Sequence, residues 1–199
     1  GKPLLTMHNN TEGTVSYTNL LCIPSSKPFD LFNPDRKSSL KLYINRVFIT
    51  DKCDNLIPAY LRFVKGIVDT QDIDLNVSRE MLQNNPAVAK ISKSLVGKIL
   101  RELKKIADKD KAKYIQFWNE FGQVLKEGLY EDLERKDTLL ELARFSNNEN
   151  DDLISLEDYV NAMDKNQKDI YYIAADTKSQ ALSSPHLEGF KSKGIKVLV

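Results

Sequence analysis

Residues 75–106, "LNVSREMLQNNPAVAKISKSLVGKILRELKKI", are where the chain changes its hydrophobic period. Beyond Pro86, the residues Val88, Ile91, Leu95, Ile99, Leu103 and Ile106 recur at steps of three or four. That spacing gathers apolar side chains on one face of a long α-helix. Just upstream, Ser78 reads as a helix N-cap and Met81–Leu82 as the first buried turn, so Arg79 falls in the first turn of a short helix. A cation is disfavoured there, because unpaired N–H groups and the helix dipole already make that end positive. The bland explanation is that Glu80 offsets the charge and the arginine faces solvent. The other is that Arg79 waits for an anion.

Before this stretch the chain reads as strands. Residues 13–23, "GTVSYTNLLCI", are rich in β-branched and aromatic residues and end at Pro24. Residues 24–39 hold three prolines and several turn formers and predict an irregular connection. "LKLYINRVFIT" (40–50) alternates at first, then loses alternation at Val47–Phe48–Ile49, as in a strand covered on both faces. "RFVKGIVD" (62–69) predicts a third strand, with Gly66 weakening it.

After the long helix, Tyr114, Phe117, Trp118, Phe121, Val124, Leu125 and Leu129 mark a second. The helical spacing of Trp118 and its aromatic neighbours predicts core. A third helix around 136–146 buries Leu139, Leu142 and Phe145, and Ser155 with Asp158 forms an acidic capping box for a short fourth. "DIYYIAA" (169–175), a helical stretch and "IKVLV" (195–199) predict a strand–helix–strand unit with parallel pairing. Ending on that run reads as a cut fragment.

Composition is that of an ordinary globular protein, 41% hydrophobic and 29% charged. Its 29 basic and 28 acidic residues give a net charge of +1, without the basic excess of a dedicated nucleic-acid or membrane-surface protein. Cys22 and Cys53 are too few for a disulfide framework, and no secretory signal opens the chain, which points to a reducing cytoplasm.

Most enzyme chemistry lacks its residues. His8 and His186 sit in separate terminal regions, and His186 reads as a residue near a helix start, so no metal site is expected. Gly97–Lys98 has Ser92 where a phosphate-cradle loop needs glycine, and it lies within the long helix. "DKDKAKYIQFWN" (108–119) lacks the central glycine and final glutamate of a calcium loop and reads as a solvated linker. Lys90, Lys93, Lys98, Arg101, Lys104 and Lys105 form either a solvated helix face or a phosphate-binding one.

Several long segments together carry a resemblance. "TNLLCIPSSKPFDLF" (18–32), "SSLKLYINRVFITD" (38–51), "LIPAYLRFVKGIVDTQDIDLNVSREMLQ" (56–83), "FWNEFGQVLKEGLYED" (117–132) and "DIYYIAADTKSQALSSPHLE" (169–188) resemble, in unbroken order, the middle domain of the heat-shock protein 90 chaperones. The bacterial high-temperature protein G branch is nearest. The resemblance implies a part of a cytoplasmic ATP-driven machine. In that family an N-terminal domain binds ATP with Mg, the middle domain completes the site, and a C-terminal domain dimerises.

The family's "SREMLQ" loop sends an arginine to the terminal phosphate of ATP on the neighbouring domain. The matching residues here are Arg79 and Gln83. Guanidinium keeps its charge and presents a rigid fork of donors to phosphate oxygens, and Gln83 lies on the same helix face. Asn76 either orients the loop or serves as a plain turn residue. Arg46 stands beside Asn45 where eukaryotic relatives often carry two arginines. Phe48 matches a residue that packs against the ATP-binding domain on closure; an ordinary core role is the alternative.

These readings predict a mixed α/β (α+β) fold in three parts. A strand-rich α/β subdomain over 1–112 carries the ATP-contacting loop at 74–86. A three-helix connector over 113–166 and the start of a small α/β subdomain over 167–199 follow. The expected partners are the N-terminal ATPase domain, the C-terminal dimerisation domain and client proteins, with no membrane partner. The fragment is expected to be a monomer without bound cofactor, without ATPase activity of its own and with weak client affinity, the parent a homodimer. The alternatives are a nucleic-acid-binding module using the basic helix at 90–105 and a stand-alone phosphotransfer enzyme.

Overall fold

The strand Leu5–Thr11 (β1), which the sequence reading did not anticipate, pairs antiparallel along its whole length with Tyr17–Ile23 (β2). It has little hydrophobic pattern, because Asn9 and Asn10 are exposed at the sheet margin. The computed structural model describes residues 1–34, 36 and 39–199; Asp35, Lys37 and Ser38, inside the predicted 24–39 connection, lie outside the described residues.

The chain forms two compact units, Gly1–Leu133 and Glu134–Val199. In the first, β1 and β2 join Leu40–Ile44 (β3), Val47–Thr50 (β4) and Lys65–Thr70 (β5) in one sheet of order β1-β2-β5-β3-β4. Only the β3–β5 pair is parallel. Tyr17, Asn19, Leu21 and Ile23 alternate inward along β2 while Thr18 and Leu20 face out, the pattern of a sheet covered on one face.

Residues 40–50 are therefore not one strand. They form a hairpin whose two-residue turn, Asn45–Arg46, has φ of 50° and 66°. Positive φ at both positions is the twist-matched geometry of two-residue hairpins. Asparagine tolerates it and arginine does not favour it. Long-range bonds hold the turn: the Asn45 N–H donates to the Thr70 carbonyl and the Arg46 N–H to Asp69 Oδ1, each at 3.0 Å. β4 thus lies at the sheet edge with Val47 and Phe48 half exposed, rather than covered on both faces.

Gly66, read from sequence as a weak point of β5, is a requirement. Its φ is +145°, and a Cβ there would stand 2.1 Å from the Leu20 carbonyl oxygen on β2.

A short helix, Arg79–Gln83 (α1), precedes the long Pro86–Lys109 (α2). Asn85 caps α2 by accepting from the N–H groups of Ala87 and Val88, with Pro86 at the first helical position, where a missing N–H costs nothing. Val88, Ile91, Leu95, Ile99, Leu103 and Ile106 are all buried, as their period predicts. The Tyr17 hydroxyl bonds Ser94 Oγ at 2.6 Å, which places α2 on the inner face of the sheet.

Asp110 alone separates α2 from Lys111–Glu131 (α3); its carboxylate accepts from the Lys113 N–H. The solvated linker expected over 108–119 is thus a single residue. Phe117 and Phe121 of α3 pack on Phe63, with centroids 5.5 and 4.9 Å apart, and Trp118 is buried, a core residue as its spacing predicts. This aromatic packing holds α3 in the first unit, which runs to Leu133.

The second unit starts with Lys136–Leu142 (α4), shorter than the predicted 136–146 helix; Phe145 instead bridges Ile154 antiparallel. Leu156–Asn161 (α5) opens on the expected capping box: Ser155 Oγ accepts from the Asp158 N–H at 2.9 Å and Asp158 Oδ2 from the Ser155 N–H at 3.3 Å. Ser155→Ala is expected to cost about 1 kcal/mol of stability in this unit, read by urea unfolding. An unchanged midpoint would contradict that role. Buried Tyr159 links three segments, donating to the Lys196 carbonyl and accepting from Gln167 Nε2 and the Tyr171 N–H. Two short helices, Lys178–Leu182 (α6) and Glu188–Ser192 (α7), follow. The predicted parallel pairing survives as a single bridge, Tyr172 to Leu198, and Leu198 also meets Asn147 antiparallel.

Candidate functional site

The segment from β5 to α2 builds the site. Ile73 is buried, and a turn at Leu75–Asn76 leads to Ser78, whose extended backbone and Oγ close the start of α1 on the Met81 N–H at 3.3 Å. Leu82 alone anchors α1 in the core; Met81, expected beside it, is 60% exposed. With its cap satisfied and one side inserted, α1 presents Arg79 outward.

Arg79 is exposed, and its side chain makes no hydrogen bond or ion pair among the described residues. Glu80, adjacent and exposed, does not clamp it. Arg79 and Gln83 line one small depression with Leu82 and with Lys52, Cys53, Asp54 and Asn55 from the loop after β4. Of these, Cys53 and Leu82 are buried. Burial pushes the Cys53 thiol above its ordinary range, which keeps it protonated and a poor nucleophile.

The other predicted residues lie elsewhere. Arg46 occupies the β3–β4 turn, and Phe48 follows on the edge strand, 51% exposed, with its ring edge-on to Tyr43 at 5.6 Å. Asn76 is exposed, and its side chain has no hydrogen-bond partner among the described residues. The structure brings Arg79 and Gln83 together, and neither Asn76, Arg46 nor Phe48 lines their depression.

Sequence reasoning missed Lys52 and Asn55. "DKCDN" (51–55) looks like any polar turn, and only the tertiary approach of that loop to α1 marks it. The Asn55 amide donates to the Gln83 carbonyl at 2.6 Å.

The basic face of α2 is largely engaged within the chain. Lys98 reaches Thr11 Oγ1 and stands 5.0 Å from the Tyr17 ring centroid, Lys104 pairs with Asp108, and Lys105 pairs with Glu102. A cleft of about 880 Å³ in the second unit mixes Glu149, Asp164 and Asp169 with Lys168, Lys193 and Lys196, so its charge selects no ligand class. No cluster of metal-ligating side chains occurs among the described residues, and no helix among them is long and apolar enough to cross a membrane.

The family model described as "Hsp90 protein" matches residues 1–199. The chain is 55% identical to the chaperone protein HtpG of Paramagnetospirillum magneticum over 198 residues, 53% to that of Roseobacter denitrificans over 198, and 52% to that of Ehrlichia ruminantium over 202. All of this chain is covered in each case, and it spans 32% of the length of each of those relatives. Among solved structures, the middle domain of a Plasmodium falciparum heat shock protein superposes with a TM-score of 0.86 at 33% identity, covering 100% of this chain and 78% of that one.

Proposed function

The chain belongs to the Hsp90 protein family, and from that premise we propose that it works as the middle segment of an ATP-dependent, cytoplasmic chaperone, with Arg79 as the residue it lends to ATP held by a separate N-terminal domain. The observation that carries this reading is a permanently charged guanidinium, exposed on a capped and core-anchored helix, with no carboxylate paired to it among the described residues. Its fork of donors suits the oxygens of a terminal phosphate. Gln83, in the same depression, supplies an uncharged amide at the edge of that contact. Charge stabilisation at the transferring phosphate needs no proton exchange from the arginine, only its placement.

In this reading MgATP is bound by the N-terminal domain and not by this chain, so the chain alone does not turn ATP over. Dimerisation belongs to a C-terminal part and client proteins are the substrates of the machine. Mixing the chain with RNA or DNA and finding a salt-dependent shift would favour the nucleic-acid alternative, which the local ion pairs of α2 disfavour.

Phe48 would dock against the ATP-binding domain as the molecule closes. Half of its surface is open, so Phe48→Ala is expected to weaken closure by about 1 kcal/mol, roughly five-fold in the closing equilibrium, read by fluorescence transfer between the two domains. Unchanged closure would remove Phe48 from the docking surface.

A further inference from the structure

We infer that Asn55 is the positioning residue for Arg79, holding α1 at the end opposite its cap. The inference rests on the reading of Arg79 as a phosphate ligand.

α1 is only five residues long, Arg79–Gln83. A helix that short does not hold its shape on intrahelical bonds, because nucleation is unfavourable and its last carbonyls have no partners within it. Its N-terminal end is closed by Ser78 Oγ, and its middle is anchored by buried Leu82. At its C-terminal end the Gln83 carbonyl accepts from Asn55 Nδ2 at 2.6 Å.

The donor stands on a fixed support. Asn55 lies two residues after buried Cys53 and directly before fully buried Leu56, and the Leu56 N–H donates to the Cys53 carbonyl at 3.2 Å. The same loop continues β4 and is tied back to it, the Lys52 N–H donating to Thr50 Oγ1 at 3.0 Å. A side chain on this anchored loop therefore fixes the carbonyl end of the turn that carries Arg79. In an α-helix residue 83 bonds back to residue 79, so loosening the Gln83 end releases the backbone from which the guanidinium is aimed. Asn55 touches no phosphate; it acts through Gln83.

Two variants isolate the donor: Asn55→Ala, and Asn55→Leu, which keeps the bulk without the N–H. In the 199-residue chain, amide hydrogen exchange at residues 79–84 should speed up roughly five-fold, the size of one net hydrogen bond, with the midpoint of global unfolding unchanged. In a complete Hsp90 chain carrying this segment, kcat for ATP should fall by a similar factor at unchanged KM, because ATP binds the other domain. Arg79→Ala is run alongside. If Arg79→Ala lowers kcat while either Asn55 variant leaves exchange at 79–84 or kcat unaltered, the positioning role is overturned and the Arg79 reading stands. If Arg79→Ala itself leaves kcat unaltered, the phosphate reading is overturned, and this inference with it.

Discussion

Arg79→Ala, placed in a complete Hsp90 chain carrying this segment, is expected to lower ATP turnover by about ten- to a hundred-fold. That corresponds to roughly 1.4–2.7 kcal/mol of transition-state stabilisation. The strongest arginine fingers contribute three to five decades. A smaller effect is expected here because, on the proposed reading, the guanidinium would approach from a different folded unit and have to find its partner at each closure. On the proposed reading, in which ATP is held by the N-terminal domain, the loss should appear in kcat. Stability should barely change, because Arg79 is exposed and its side chain has no hydrogen bond or ion pair among the described residues. Arg79→Lys should recover only part of the rate: it keeps the charge but not the planar fork. Unaltered turnover in the alanine variant would remove Arg79 from the site.

Gly66→Ala is expected to destabilise the first unit by about 4 kcal/mol or more, read by urea unfolding of the 199-residue chain. Two effects act together. The backbone has φ +145°, where an L-residue is strained. The new methyl would also lie 2.1 Å from the Leu20 carbonyl oxygen and 2.9 Å from the Leu21 Cα. Those atoms are backbone, so relief requires β2 and β5 to separate, and both are interior strands of the sheet. Replacement of Gly97, which lies in α2 with open space around it, is the control; alanine there should be neutral or stabilising. A loss below about 1 kcal/mol at Gly66 would show that the strands can part without cost.

Legibility from sequence followed how local each determinant is. α2 and α3 were readable because their apolar residues repeat at helical spacing, and that repeat is the face each helix buries. The capping box at Ser155–Asp158 and the cap at Ser78 were readable because each cap and its bonding partner lie three residues apart. The β3–β4 hairpin was not: its turn lacks glycine, and the bonds that hold it come from Asp69 and Thr70 on another strand. Gly66 carried the opposite meaning to the one its propensity suggested, because the constraint is set by Leu20 on the neighbouring strand. In the candidate site, Arg79 and Gln83 were legible as neighbours on one short helix. Lys52 and Asn55 were not, since a loop brings them in from more than twenty residues upstream. The aromatic at position 48 was open between core and surface, and its half-exposed place on an edge strand is what no local pattern encodes.

The most direct measurement of the central claim is complementation in trans: the ATPase rate of the isolated N-terminal ATP-binding domain of an Hsp90 chaperone, titrated with the 199-residue chain and with its Arg79→Ala variant. The account predicts no turnover by the chain alone, a saturable rise in the domain's rate when the chain is added, and no rise with the variant. An equal rise with both proteins would contradict it, as would ATP turnover by the chain on its own.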